Sequence, residues 1–361
     1  IQRKMASQTL TRLSQQLIVD GVPRGLDHFI KTGPLFNRCF NPSTVNIDID
    51  KWLSHGSLLT QKILNKNSND GFSLAEAVRV YQYYLPIYFW VESLMKSQPK
   101  DTPLFVGLSC PQGGGKTTLV DALNLLFSCD GQICAEMSLD DFYLTNAEQT
   151  EVASLNHDNS LLELRGNPGT HDVELAQNLI SNIINGGNND QSSYLIPRYD
   201  KSKFNGRGDR YPKDQWTILN SKPNIILFEG WCFGFTSLEK QNKKELITDK
   251  RLIPIDERLL TDYHELHKLM NAWVVIEVES PQWVYRWREE AEASMRKQGK
   301  TAMTQEEVSD FVDRYMPAYH HYLPDLYKNG PDDAMNKPKL SFQVDAMRNP
   351  VSIEDALPFK P

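Results

Sequence analysis

Three glycines, a lysine and two threonines in Gly107-Leu-Ser-Cys-Pro-Gln-Gly-Gly-Gly-Lys-Thr-Thr118 carry the clearest chemistry in the chain. An anion is held by backbone N–H groups aimed at it, and the chain curls tightly enough for that where side chains are absent. Gly113, Gly114 and Gly115 permit the curl. Lys116 sets a cation against the β- and γ-phosphates of a nucleotide, the Thr117 hydroxyl can ligate Mg2+, and Thr118 completes the phosphate-binding set. A helix opening at Thr117 would turn its positive end toward the phosphates. The usual pattern has glycine six residues before the lysine, and Cys110 stands there instead. The context is the expected one, a buried strand before and a helix after. ATP and Mg2+ are therefore the expected cofactors.

Phosphoryl transfer also wants carboxylates beside the metal and the acceptor hydroxyl. Asp140 and Asp141, in Ser138-Leu-Asp-Asp-Phe-Tyr143, follow a predicted strand. Strand C-termini in open α/β sheets face the ligand crevice. One of the pair can deprotonate an acceptor, or the pair can cap a helix. Glu229 ends Ile225-Ile-Leu-Phe-Glu-Gly230, four apolar residues and then an acid. That is a Walker-B arrangement for a metal, or an accidental strand-end acid.

The segment Pro197-Arg-Tyr-Asp-Lys-Ser-Lys-Phe-Asn-Gly-Arg-Gly-Asp-Arg210 concentrates positive charge in an acidic protein. Arg198, Arg207 or Arg210, beside Tyr199, can hold a carboxylate or phosphate, unless the segment is a solvated loop. His171 and Asp172 open a predicted helix after a Gly-Asn-Pro-Gly turn, as acceptor ligands or as helix-start residues. Arg288, Arg296 and Lys297, with Lys300, line a helix and its end. They form either a lid that closes on phosphates or a solvated helix face.

These groups need a scaffold. Predicted strands are Pro103–Ser109, Ile133–Leu139, Asn224–Phe228, Ala272–Val278 and Leu340–Val344. Predicted helices are Thr117–Phe127, Asp172–Ile184 (capped by Thr170 or Asp172), Gln282–Met295 and Gln305–Tyr319. The alternation reads as an α/β domain of P-loop NTPase type, a mostly parallel sheet flanked by helices. Residues 99–361 form this kinase domain, with a lid at about 285–303, and residues 236–270 read as a charged, irregular insertion. Residues 1–98 read as an N-terminal helical region without a chemical motif. Asp345 to Val351, after the last strand, give the one hint of an adenine site.

The 361 residues carry a net charge of −7, which argues against a nucleic-acid binder. No apolar run reaches the roughly 18 residues of a membrane span. The aromatics of Tyr81 to Val91 are expected in a core or a domain contact. Five cysteines, with spacings that match no zinc pattern, suit a reducing compartment. Beginning at Ile1 rather than Met, the chain is expected to lack its true start. Its acid-poor opening, with Arg3, Lys4 and Arg12, fits an organelle transit segment or an ordinary helix start.

The motifs together resemble the D-glycerate 3-kinases of plants and fungi. The resemblance runs through the Gly-rich loop, Ser138–Tyr143, Arg165-Gly-Asn-Pro-Gly-Thr-His-Asp172, the basic segment, Phe228-Glu-Gly-Trp231 and the stretch Tyr285–Tyr319. It covers about residues 100 to 350, and the family is similar in its core to uridine kinase, pantothenate kinase and phosphoribulokinase. It implies transfer from ATP to D-glycerate, giving 3-phosphoglycerate. Asp140 takes the catalytic carboxylate position, and Asp172 resembles a position that contacts acceptor hydroxyls. The basic loop would bind the glycerate carboxylate. A monomer is expected, in the chloroplast stroma as a step of photorespiration, or in the cytoplasm as in fungi. The competing readings are another P-loop metabolite kinase, for pantothenate, uridine or a sugar phosphate, and a nucleotide-binding regulator or ATPase.

Overall fold

The computed structural model describes residues 18–19, 22–23, 25–65, 73–186, 193–299 and 302–360. The basic opening of the chain, most of the two polar loops near residues 68 and 189, and Lys300 lie outside the described residues.

Five strands form the main sheet: β1 (Leu104–Ser109), β2 (Cys134–Ser138), β3 (Ile225–Gly230), β4 (Ala272–Val278) and β5 (Lys339–Val344). β1 and β3 are buried at every position. Such continuous apolar strands suit a parallel sheet covered on both faces. The order is β5-β4-β1-β3-β2, with every pair parallel. Leu108 stands opposite Glu229, and Glu229 opposite Ser138. β1, β3 and β2 therefore end in step, and the segments that leave them open on one crevice. The neighbours of β1 come from later in the chain on both sides, the switch point where such sheets bind ligands.

Helices α1 (Ile49–Lys62) and α2 (Leu85–Lys96) flank a segment that runs from Leu74–Ala77 into a π-helical stretch, Val78–Tyr84. Helix α3 (Lys116–Cys129) follows the Gly-rich loop. Its buried Leu119, Leu123 and Leu126 fall at helical spacing and face the sheet. Tyr81, Tyr83, Ile87, Tyr88 and Val91 join Val106, Leu123, Ile225 and Val274 in one apolar cluster. The region that reads as an extension thus covers one face of the sheet and shares its core. Ion pairs of Lys51 with Glu92 (2.7 Å) and with Asp130 (2.6 Å) tie α1 and α2 to the end of α3. No helix among the described residues is long and apolar enough to cross a membrane.

The opposite face carries α4 (Asn146–Leu155), α5 (Val173–Ile184), α6 (Trp283–Lys297), whose Trp287 also joins the first cluster, α7 (Gln305–Asp313) and α8 (Met316–Asn329). Two expectations need correction. Residues 236–270 are not irregular throughout, because Ile253–Lys268 is helical with a π-turn at Leu259–Tyr263. Leu252, Ile255, Leu259, Tyr263 and Leu266 are buried at helical spacing beneath the charges that disguised them. Buried Asp256 pins the preceding loop, accepting from Ser237 Oγ (2.8 Å) and the Leu238 N–H (2.7 Å). Gln305–Tyr319 is two helices rather than one. Pro317 has no N–H to continue α7, and it sits where proline starts a helix well, in the first turn of α8.

Candidate active site

The Gly-rich loop joins β1 to α3. Gly115 caps α3 with φ +94°, and Gly113 has φ +77°, both in the left-handed region open to glycine. Neighbours hold the loop. The Gln112 N–H donates to Tyr319 Oη (3.0 Å), and Arg348 Nε donates to the Gly113 carbonyl (2.6 Å). The Arg348 guanidinium lies 5.0 Å from the Trp287 ring centroid. The Asp345–Val351 turn therefore adjoins the loop.

At the mouth of the helix, Lys116 Nζ stands 3.8 Å from Glu229 Oε2, and Thr117 Oγ1 donates to Glu229 Oε1 (3.2 Å). Glu229 is buried, and among the described residues its Oε2 has no hydrogen-bond partner. Burial pushes its carboxyl above the usual range, against the pull of Lys116. A buried carboxylate oxygen left without a donor, beside a threonine hydroxyl, is a donor set for a hard cation such as Mg2+.

Across the crevice the two aspartates part company. Asp141 accepts from the Ser138 N–H (3.2 Å), closing a capping box, and from Arg198 Nη1 (2.7 Å). Burial pushes its carboxyl up to about 6, with Arg198 opposing. Asp140 instead accepts from Lys201 Nζ at 2.5 Å. Burial would raise this carboxyl, but Lys201 and then Lys116 hold it well below the usual carboxylate range.

His171 is buried. It stacks on Tyr143 with centroids 4.4 Å apart, and its Nδ1 meets Tyr263 Oη at 2.6 Å. Burial drives its pKa down to about 3, against the nearby Asp140, so the ring is neutral. Its Nε2 has no hydrogen-bond partner among the described residues. Asp172 is the N-cap of α5 through the Leu175 N–H (3.0 Å), and its other oxygen pairs with Arg210 (3.1 Å).

The basic segment folds as a short antiparallel ribbon in which Tyr199 pairs with Arg210. Arg198 and Arg210 pair with Asp141 and Asp172 and Tyr199 packs against the Tyr143 ring, whereas Arg207 is exposed and offers only its carbonyl inward, to Arg165. The lid cations are occupied elsewhere. Arg288 pairs with buried Glu292 (2.5 Å) and lies over Phe311, while Arg296 binds Glu289 and the Met303 carbonyl. Lys297 is exposed, and none of the three joins the Lys116–Asp140 group. Two residues not singled out from the sequence matter here. Lys201 pairs with Asp140. Arg165 bonds the carbonyls of Gly206, Arg207 and Lys201 and lies over the rings of Tyr143 and Tyr199. Its signal was its place in the Arg165–Asp172 run, directly before the turn.

No protein-family model matches the chain. The chain is 40% identical over 334 residues to the chloroplastic D-glycerate 3-kinase of Arabidopsis thaliana, covering 90% of this chain and 72% of that protein. An uncharacterised kinase of Schizosaccharomyces pombe is 38% identical over 236 residues, 63% of this chain and 84% of the relative. Among solved structures, the D-glycerate 3-kinase from Cryptococcus neoformans var. grubii superposes with a TM-score of 0.65 at 30% identity. That match covers 74% of this chain and 97% of the other.

Proposed function

The chain belongs to the D-glycerate 3-kinase family, and we propose that it transfers the γ-phosphoryl group of ATP to the 3-hydroxyl of D-glycerate, giving 3-phosphoglycerate and ADP. The observation that carries this reading is the crevice itself. A phosphate-binding loop with Lys116 faces a strand-end carboxylate, Asp140, inside a ring of cations suited to an anionic acceptor.

In this reading the loop N–H groups of Gly113 to Thr118 and the Lys116 ammonium hold the ATP phosphates. Asp140 orients the acceptor hydroxyl and takes its proton. Asp172, fixed by its own helix cap and by Arg210, together with His171, lines the acceptor pocket. Arg198 and Tyr199 form its wall. Thr117 and Glu229 would hold Mg2+, which when bound neutralises charge on the phosphates. Arg288, Arg296 and Lys297 would approach the phosphates only if α6 and the segment after it moved. The chloroplastic relative supports a stromal location and a role in photorespiratory glycerate recycling.

A panel of acceptors tests the reading. ADP release with MgATP should be stimulated by D-glycerate and not by pantothenate, uridine or a sugar phosphate. Stimulation by one of the latter instead would overturn it.

A further inference from the structure

Most cations around the acceptor crevice are already matched to partners within the protein. Arg198 pairs with Asp141 (2.7 Å) and donates to Thr217 Oγ1 (2.9 Å). Arg210 pairs with Asp172 (3.1 Å) and donates to the Tyr143 carbonyl (2.9 Å). Arg165 is taken up by three main-chain carbonyls, and Lys203 lies 3.8 Å from Asp209. Lys201 differs from these. Its ammonium sits 2.5 Å from Asp140, the carboxylate that must be free to receive a proton.

A carboxylate bonded to an ammonium at that distance is a weakened base, and its Oδ2, which holds the ammonium, is not open to a hydroxyl. Something must draw Lys201 away before transfer. We propose that Lys201 is the residue that recognises the acceptor's carboxylate, and that its ion pair with Asp140 blocks the acceptor-free site until that carboxylate displaces it. This inference rests on the reading of D-glycerate as the acceptor.

The local structure suits a side chain that swings from a fixed base. The Lys201 carbonyl accepts from Arg165 (3.4 Å). The preceding Asp200 carboxylate folds back onto the Ser202 N–H (2.9 Å) and Oγ (2.6 Å). The backbone on both sides of Lys201 is thus tied down. The Lys201 side chain is 58% exposed, whereas that of Arg210 is 11% exposed. An extended lysine stem in contact with water reorients at little cost; a buried, doubly bonded guanidinium does not. The charge logic also matches the ligand. In glycerate one carbon separates the carboxylate carbon from the carbon bearing the 3-hydroxyl. A hydroxyl that reaches Asp140 therefore brings its own carboxylate within the arc of the Lys201 ammonium. One anion replaces another on Lys201, and Asp140 is released in the same movement. A neutral alcohol offers no such exchange, so the pair discriminates against it.

The test compares D-glycerate with its neutral amide, D-glyceramide, in the wild type, Lys201→Met and Lys201→Arg, with KM for ATP and the melting temperature measured alongside. Removing a charged hydrogen-bonding partner costs about tenfold to a hundredfold in affinity. Lys201→Met should therefore lower kcat/KM for D-glycerate about tenfold to a hundredfold through KM, with KM for ATP unchanged. Activity on the amide should hold or rise, because Asp140 is no longer blocked. Lys201→Arg, which keeps the charge and the fold, should retain a preference for glycerate over the amide. Equal losses on both acceptors, or an unchanged KM for glycerate, would overturn the role of Lys201. If Lys201→Met does not fold, the same comparison is made with Lys201→Gln. A wild type that ignores D-glycerate would instead overturn the underlying reading and this inference with it.

Discussion

Gly114→Ala probes the phosphate loop where the packing leaves least room. A Cβ at this position lies 2.2 Å from Cys110 Sγ, 3.2 Å from the Pro111 carbonyl oxygen and 3.5 Å from Trp287 Cζ3. Non-bonded heavy atoms settle at about 3.5–4.0 Å, so the methyl and the sulfur must separate by more than about 1 Å. Cys110 is 1% exposed and cannot retreat freely, while Pro111 and Trp287 close the other directions. Overpacking of this kind costs about 1–3 kcal/mol. The displaced atoms belong to the loop whose N–H groups would receive phosphate. The expected effect is a loss of ATP affinity of about 5- to 150-fold, read by calorimetry with a non-hydrolysable ATP analogue. Cys110 occupies the position where the usual loop pattern has glycine. Cys110→Gly removes the clashing sulfur, so Cys110→Gly/Gly114→Ala should recover most of the loss, and the pair should be strongly non-additive. Wild-type affinity in Gly114→Ala, or simple additivity in the double variant, would refute the reasoning.

Other predictions concern the carboxylate, the histidine and the thiols. Asp140→Asn should bind ATP normally while kcat falls by about 10²- to 10⁴-fold; near-normal turnover would show that another group takes the proton. His171 has a folded pKa of about 3, below the roughly 6.5 of an unfolded histidine, so only the unfolded chain takes up this proton as pH falls. Its stabilising contribution is complete above pH 6.5 and is lost between 6.5 and 3, by up to about 1.4 kcal/mol per pH unit. His171→Phe keeps a ring against Tyr143 and removes the titration. Its stability should fall less steeply from pH 6.5 to 5 than the wild type's, and parallel urea-melt profiles would contradict this. Cys129 is exposed, whereas Cys110 is buried with its thiol pushed up to about 12. Iodoacetamide should modify Cys129 first and leave Cys110 intact in the folded protein, as peptide mass mapping would show.

The fold was legible where the signal was local. Parallel strands buried over most of their length leave apolar stretches, and those from Ala272 and Leu340 lie within one residue of their observed bounds. The Gly-rich loop announced itself by type and by position after a strand, whereas type and position alone left Asp140 and Asp141 undivided, and only the family resemblance pointed to Asp140. What escaped was set by partners far along the chain. Ile253–Lys268 has its apolar face hidden among acids, bases and a proline that sits harmlessly in the first turn. Arg165 and Lys201 differ from the neighbouring arginines and lysines only in what they touch, and those contacts span 22 to 61 residues. Sequence reasoning weighed the basic segment by its arginines, because guanidinium suits carboxylates. The fold gives Arg198 and Arg210 carboxylates of their own and leaves Arg207 in solvent.

The most direct test of the central claim is the product of a single turnover. Enzyme, MgATP and D-glycerate would be mixed, and the phosphorylated product identified by mass and by phosphorus–carbon coupling in NMR. The account predicts one phosphate per glycerate, attached at the 3-hydroxyl, with ADP released in equal amount and only when glycerate is present. Phosphate on the 2-hydroxyl, or ADP formed at the same rate without glycerate, would contradict it.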